Sequence, residues 1–150
     1  MNLSSIIKPE DVILDLPISN KADLIKKLST HAAARTGLDE GSIHAALLGR
    51  EQLGSTGIGH GVAMPHAPIA GLETPFAALV ILKKPIAFES VDELPVDIAF
   101  LLLSAPEGAS EYLKILAAFA RRTHEPSVLN MLRGAKSPLA AYSALIDQAA

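Results

Sequence analysis

Hydrophobic residues along the chain follow two patterns, continuous runs of strand length and a spacing of three or four residues. The runs at Phe76–Leu82 and Val96–Leu103 are almost wholly apolar, as expected for strands covered on both faces of a sheet. The apolar residues within Ser4–Leu16 predict a docked turn followed by a short strand. Pro85–Glu89 predicts an edge strand or a turn, and Asp92–Pro95 predicts a further turn.

Apolar spacing and capping residues together predict five helices. Ser19 or Asn20 is placed to accept the first backbone N–H bonds of the first helix, and Gly37 is placed to end it. The predicted spans run from Asn20 to about Arg35, from Asp39 to near Arg50, from Ser110 to about Thr123, from Pro126 to Gly134 and from Ser137 to Ile146. This order of elements predicts an α/β fold in a single domain over residues 1–150. We expect a mixed, mostly parallel sheet of about five strands with helices on both faces.

Composition narrows the class of protein. The 150 residues are 49% hydrophobic and 19% charged, which excludes a disordered chain. Because the sequence has no cysteine, disulfides, iron–sulfur clusters and thiol catalysis are excluded. A formal net charge of -3 argues against a nucleic-acid binder, and no apolar run approaches the roughly 20 residues of a membrane span. The N-terminus shows no basic segment followed by an apolar block, so we expect a cytoplasmic protein without membrane insertion.

The candidate chemistry concentrates in Gln52–Leu72, the longest stretch without an Asp, Glu, Lys or Arg side chain. This stretch holds five of the ten glycines. A long, glycine-rich loop is costly to order, so we expect its backbone to have a function. Small residues let backbone N–H groups approach an anion closely, and a stretch without carboxylates does not repel one.

Five kinds of site compete for this stretch. A dinucleotide fingerprint fails because Val62 stands where the third glycine belongs and because a helix precedes the loop. A Walker loop fails for lack of a lysine, and a hydrolase elbow fails because Gly-x-Ser-x-Gly is absent. A metal site would use His60 and His66, but six residues of extended chain separate them by roughly 20 Å. No carboxylate or cysteine close to them in the sequence completes a ligand set.

The fifth kind of site is a histidine that carries a phosphoryl group. A neutral imidazole, with an ordinary pKa of about 6.5, is nucleophilic at cytoplasmic pH, and the N–P bond is labile enough to pass the group on. The protein must then hold three charged oxygens beside the ring. Gly57 and its neighbouring glycines would allow a close approach of the backbone. The hydroxyls of Ser55 and Thr56 would add donors, and Arg50 would add a permanent cation.

The string REQLGSTGIGHGVAMPH, from Arg50 to His66, resembles the type-2 enzyme IIA domains of the bacterial phosphoenolpyruvate-dependent phosphotransferase system (PTS), the mannitol/fructose class. Pro85–Leu103 is similar to the stand-alone, nitrogen-regulatory branch of this family. The resemblance implies that His66, which follows a proline, accepts phosphate on Nε2 from a histidine of an HPr-like carrier. It also implies an anion-facing role for Arg50 and places Ser55 and Thr56 in the loop around the site.

Two positions depart from the family's pattern. Many members have asparagine where this chain has His60, which would place a second imidazole near the first; a loop-bracing role for His60 is the alternative. Members commonly carry a second active-site histidine where this chain has Tyr112. A tyrosine hydroxyl can donate to phosphate, but, unlike an imidazole, it does not ionise near neutral pH. Tyr112 also fits the apolar face of its helix, and Arg50 also fits a helix C-terminus, where a cation is favourable.

The resemblance implies a histidine phosphocarrier of the nitrogen phosphotransferase system that regulates partner proteins through its phosphorylation state. Potassium transporters and sensor kinases are the kinds of target that the family implies. Two alternatives stay open: a sugar-specific IIA component that passes phosphate to a IIB transporter domain, and a binding module of the same fold that is not phosphorylated. We expect no cofactor, no metal and no nucleic-acid partner.

Overall fold

The computed structural model describes residues 2–146. Two short 3₁₀ turns, Leu3–Ser5 and Pro9–Asp11, precede the first strand. The strands are β1 Val12–Leu16, β2 Gly57–Gly59, β3 Val62–Ala63, β4 His66–Pro68, β5 Phe76–Ile86 and β6 Val96–Ser104. The helices are α1 Lys21–Thr36, α2 Glu40–Gln52, α3 Ala109–Thr123, α4 Pro126–Arg133 and α5 Pro138–Ile146.

All six strands belong to one mixed sheet in the order β1-β5-β6-β3-β2, with β4 also paired to β6. The long pair β5–β6 runs antiparallel, as does the short pair β2–β3. The other three pairs, β1–β5, β3–β6 and β4–β6, are parallel. The predicted α/β class, with a mixed and mostly parallel sheet, is therefore confirmed.

Side-chain alternation along β6 explains why helices cover both faces. Ile98, Phe100 and Leu102 lie in one core with residues of α3, α4 and α5. Ala99 and Leu101 lie in a second core with residues of α1 and α2. All five side chains are fully buried. Because both faces of the strand are covered, its sequence is a continuous apolar run instead of an alternating one.

The first two helices begin at the capping residues that the sequence predicts. The Asn20 side chain accepts the N–H of Asp23 at the start of α1, and Gly37 ends this helix with a φ of 77°. At the start of α2, the Asp39 side chain accepts the N–H of Ser42. These caps satisfy backbone donors that helix geometry leaves without partners, so they set where each helix starts.

Two segments differ from the sequence-based prediction. The stretch Gln52–Leu72, expected to be a loop, contains the three short strands β2, β3 and β4. Its small residues let the backbone lie along the edge of the sheet. There, hydrogen bonds to neighbouring strands replace hydrogen bonds to water. Strand β5 continues to Ile86, so Pro85 belongs to this strand and not to a separate edge strand or turn. The pairing with β6 is irregular between Ile81 and Ile86, which accommodates the proline.

Strands β3 and β4 share one edge of β6, and this arrangement places the end of the glycine-rich stretch. β3 pairs with β6 at Ile98, and β4 pairs with it at Leu102. Pro65 lies between the two strands, and its carbonyl accepts the N–H of Leu102 at 3.0 Å. The chain therefore follows the edge of β6 and enters β4 at His66, in register with Leu102.

We expect Phe119→Ala to destabilise the protein by about 3–5 kcal/mol, because it removes a fully buried ring from the core beneath α3. The rings of Phe100 and Phe119 stack with centroids 4.1 Å apart, so the truncation also leaves Phe100 without its partner. Urea unfolding measures the change. Leu113→Ala on the exposed side of the same helix is the control and should change stability by less than about 0.5 kcal/mol. Equal effects of the two variants would contradict this account of the core.

Candidate functional site

His66 is the first residue of β4 and is held against the sheet by backbone pairing. It lies in register with Leu102 of β6, directly after the bond from the Leu102 N–H to the Pro65 carbonyl. Its side chain is half-buried. The sheet therefore fixes the backbone from which this imidazole projects, and the ring keeps access to solvent.

The hydrogen bond of the His66 ring defines which nitrogen is nucleophilic. Nδ1 lies 2.7 Å from the carbonyl oxygen of Met64. A carbonyl oxygen can only accept, so in the neutral ring Nδ1 carries the hydrogen and donates it. The lone pair of the neutral imidazole is consequently on Nε2. The geometry thus prepares Nε2 to attack an electrophile without a prior proton transfer.

Burial lowers the pKa of His66 below its ordinary value, because the imidazolium loses hydration in this site. The bond to the Met64 carbonyl acts in the opposite direction. The positive charge of Arg50 lowers the pKa further, and the negative charge of Glu51 raises it. The net shift is downward, so the ring is neutral and nucleophilic near pH 7.

Arg50 lies in the last turn of α2 with its side chain half-buried. Its Nη1 donates a hydrogen bond to the carbonyl of Gly54 at 2.9 Å, which joins the helix end to the following loop. The positive charge of Arg50 also lowers the pKa of His66. The anion-facing role of Arg50 stays a prediction.

The loop between α2 and β2 is held from two sides. The Ser55 hydroxyl donates to the Phe88 carbonyl at 2.7 Å and accepts the N–H of Gly57. The Thr56 hydroxyl donates to Oε2 of Glu51, and the Thr56 N–H donates to Oε1 of Glu51 at 3.1 Å. Both hydroxyl hydrogens are therefore engaged with the protein, so in this structure these residues shape the loop.

Gly57 is needed for close packing. A side chain on this residue would overlap the hydroxyl of Ser90 and would lie 3.0 Å from the Ser90 Cα. The Gly57 carbonyl also accepts the N–H of Val91 at 3.2 Å. The glycine therefore lets the start of β2 lie directly against the segment that follows β5.

Glu51 is a site residue that the sequence analysis does not include. Its side chain is 6% exposed and forms an ion pair with Nζ of Lys21 at 3.0 Å. Together with its bonds to Thr56, this pair leaves the carboxylate fully engaged. A signal was available in the sequence, since Glu51 is the last charged residue before the charge-free stretch. Its partner Lys21 is 30 positions away, which no local pattern reveals.

The structure separates His60 from His66. The carbonyl of Gly61 accepts the N–H of Ile98, whereas His66 is in register with Leu102. These two points are four positions apart along β6, or about 13 Å of strand at roughly 3.3 Å per residue. A second imidazole is therefore not placed beside the first, and the two rings are too far apart to share a metal ion.

His60 is instead an exposed residue of the β2–β3 turn, with a φ of 57°. Its N–H donates to Asp92 at 2.9 Å, and its carbonyl accepts from Nη2 of Arg133 at 2.6 Å. The ring meets that of His124 edge-on, with centroids 6.4 Å apart. These contacts support the alternative that His60 braces a loop.

Comparison with known proteins identifies the family of the chain. Residues 5–148 match the family described as "Phosphoenolpyruvate-dependent sugar phosphotransferase system, EIIA 2". The chain belongs to this family. The match spans the helices and the sheet, including His66 in β4, so the resemblance noted in the sequence is confirmed.

Similar proteins include members of the nitrogen-regulatory branch. A nitrogen regulatory protein of Bradyrhizobium diazoefficiens is 40% identical over 146 residues, which cover 97% of this chain and 95% of the relative. The crystal structure of the nitrogen regulatory protein IIA-Ntr from Neisseria meningitidis superposes with a TM-score of 0.90 at 28% identity, covering 94% and 97% of the two chains. These likenesses support a role like that of IIA-Ntr in the phosphotransferase system.

The fold is shared more widely than the sequence. The Escherichia coli mannitol enzyme IIA, solved in complex with phosphorylated enzyme IIB, matches with a TM-score of 0.79 at 14% identity, covering 93% of this chain and 98% of the other. This likeness concerns the fold alone. Within residues 2–146, none of the helices combines the length and the hydrophobicity that a bilayer span requires.

Tyr112 lies in the first turn of α3, at the position where the resemblance predicts a second site residue. Its ring centroid lies 6.0 Å from that of His66, at an interplanar angle of 34°. The residue is half-buried and packs against the core beneath α3. The structure therefore places Tyr112 both beside the imidazole and on the apolar face of its helix, as the two sequence-based alternatives require.

We expect the lowered pKa of His66 to make the protein less stable at acid pH. Above about pH 7.5 the ring is neutral in the folded and unfolded states and contributes no pH dependence. As the pH falls below about 6.5, the unfolded chain binds the proton first, so the free energy of unfolding decreases. Urea unfolding at pH 7.5 and 5.5 measures this loss, which should be smaller in His66→Gln. An equal loss in the two proteins would show that the pKa of His66 is not lowered.

Proposed function

We propose that the protein is a histidine phosphocarrier and regulator of the nitrogen phosphotransferase system, which accepts a phosphoryl group on His66 from an HPr-like carrier. The observation that carries the proposal is the bond from Nδ1 of His66 to the Met64 carbonyl at 2.7 Å, which leaves the lone pair on Nε2. The similarity to nitrogen regulatory proteins supports the regulatory branch of the family.

The transfer step needs only the two imidazoles. The lone pair on Nε2 of His66 attacks the phosphorus atom in line with the phosphorus–nitrogen bond of the carrier's phosphohistidine. The new N–P bond forms as the carrier's bond breaks, and the electron pair returns to the carrier's ring nitrogen. Because Nδ1 keeps its hydrogen bond to the Met64 carbonyl, the ring keeps its orientation throughout the step.

Arg50 stabilises the incoming group by its charge. The guanidinium acts electrostatically at His66, and phosphate oxygens are good partners for its planar N–H groups. Ser55, Thr56 and Gly57 support the site by fixing the loop that follows α2. The hydroxyl of Tyr112, on the neighbouring helix, is a donor of the kind that phosphate binds.

Regulation follows from the change in charge. A phosphoryl group adds nearly two negative charges to a stretch that contains no Asp, Glu, Lys or Arg side chain between Gln52 and Leu72. Such a change repels an acidic partner surface and attracts a basic one, so the two states have different partners. Potassium transporters and sensor kinases are the proposed targets, and the HPr-like carrier is the proposed donor.

We expect the full-length protein, incubated with phosphoenolpyruvate, enzyme I and an HPr-like carrier, to gain one phosphoryl group in an intact mass measurement. The label should be acid-labile and base-stable, as expected for phosphohistidine. His66→Gln should abolish it. His60→Gln is the matched control and should keep it, because His60 lies at the other end of β6. A label that survives in His66→Gln, or is lost only in His60→Gln, would overturn the assignment.

The same phosphorylated protein separates the two phosphotransfer functions. The mannitol enzyme IIA of similar fold is known in a complex with phosphorylated enzyme IIB. Mixing the labelled protein with sugar-specific IIB domains should leave the label in place for a regulator. Rapid transfer to a IIB domain would instead favour the sugar-specific alternative, and failure to label at all would favour the non-phosphorylated binding module.

We expect Arg50→Gln to slow phosphorylation at least about tenfold, because it removes the cation that faces the transferred group. The substitution should also raise the pKa of His66, since the positive charge of Arg50 lowers it. Single-turnover labelling measures the rate, and NMR titration of the His66 ring measures the pKa. Arg50→Lys keeps the charge and should preserve the low pKa. An unchanged labelling rate in Arg50→Gln would assign Arg50 to loop bracing through Gly54.

A further inference from the structure

A continuous series of polar contacts runs from α1 to the imidazole of His66. Lys21 Nζ pairs with Glu51 Oε1 at 3.0 Å, and Glu51 accepts both the N–H and the hydroxyl of Thr56. The Thr56 carbonyl accepts the N–H of Met64 at 2.9 Å. The Met64 carbonyl then accepts from Nδ1 of His66 at 2.7 Å. Each residue of the series thus limits the position of the next.

The first part of this series is buried and held from several directions. The side chain of Glu51 is 6% exposed and that of Lys21 is 20% exposed. The ammonium of Lys21 lies 4.4 Å from the centroid of the Phe88 ring and 3.4 Å from the Phe88 carbonyl. A buried carboxylate is stable only when its oxygens are satisfied, so Lys21 and Thr56 fix Glu51 in one place.

Thr56 connects this ion pair to the backbone beside the site. Its side chain and N–H both bind Glu51, while its carbonyl binds Met64. Thr56 is 4% exposed, so water does not compete for these bonds. The position of the Met64 peptide therefore depends on Thr56, and the position of Thr56 depends on Glu51.

We propose that Glu51, held by Lys21, is a positioning residue for His66 that acts through Thr56 and Met64. By keeping the Met64 carbonyl aimed at Nδ1, it keeps the hydrogen on Nδ1 and the lone pair on Nε2. The proposal rests on the proposed function, because the tautomer matters for phosphoryl transfer to Nε2. Glu51 does not touch the transferred group in this role.

A purely electrostatic role for Glu51 predicts a different outcome. The negative charge of Glu51 raises the pKa of His66, opposite to the effect of Arg50. Removing only this charge would lower the pKa and leave the tautomer unchanged. Removing the hydroxyl of Thr56 changes no charge and acts only on the geometry. The two effects can therefore be separated with variants of Thr56 and Glu51.

The test compares Thr56→Val, Thr56→Ser and Glu51→Gln in the full-length protein. Nitrogen-15 NMR of the His66 ring at pH 8 measures the fraction of each neutral tautomer, and single-turnover labelling from the HPr-like carrier measures the rate. We expect Thr56→Val and Glu51→Gln to increase the tautomer with hydrogen on Nε2 and to slow labelling by roughly tenfold. Thr56→Ser keeps the hydroxyl and should behave like the unmodified protein.

Asp39→Ala is the matched control for stability. It removes the cap of α2 at the end far from His66 and should lower the urea midpoint of unfolding, while tautomer and labelling rate stay unchanged. If both Thr56→Val and Glu51→Gln show the same tautomer fractions as the unmodified protein, the proposal is overturned. Slower labelling without a change of tautomer would overturn it as well. The tautomer measurement needs no donor, so it stands even if no carrier labels His66, a result that would refute only the proposed function.

Discussion

The bond between Nδ1 of His66 and the Met64 carbonyl is the contact on which the proposed chemistry of this protein depends. It assigns the hydrogen to one ring nitrogen and the lone pair to the other, so a side chain with two similar nitrogens becomes a nucleophile with one reactive atom. Burial keeps the ring neutral by lowering its pKa, and the Arg50 charge adds to that effect. Orientation and protonation state are thus set together, before any partner arrives.

The sheet holds the two partners of this hydrogen bond in fixed positions. β6 pairs with β5 along one edge and with β3 and β4 along the other, so three strands depend on one almost fully buried element. Met64 and His66 lie where the chain passes from β3 to β4, and both ends of this passage are fixed by pairing with β6. A shift of β6 would displace the carbonyl and the ring together. The cores on its two faces therefore protect the site as well as the fold.

Much of this architecture could be predicted from the sequence because its signals are local. Two apolar runs marked β5 and β6, and Asn20, Gly37 and Asp39 marked helix ends. The contacts of His60 could not be predicted, because they depend on which residues of β6 the β2–β3 turn lies beside. Glu51 was missed because its partner Lys21 lies on another helix. Contacts between distant parts of the chain depend on the packing of whole elements, which no short motif encodes.

The bond between Arg50 and the Gly54 carbonyl reduces the entropy that the side chain has left to lose when it binds an anion. A long, flexible cation that is free in solution loses up to roughly 2 kcal/mol of rotamer entropy when an anion captures it. Here much of that freedom is already lost in folding, since one guanidinium nitrogen is tied to the loop. An arriving anion therefore meets a side chain that is already ordered, so less of its binding free energy is lost in ordering the cation. A receptor of this kind binds an anion more tightly than a freely rotating cation would.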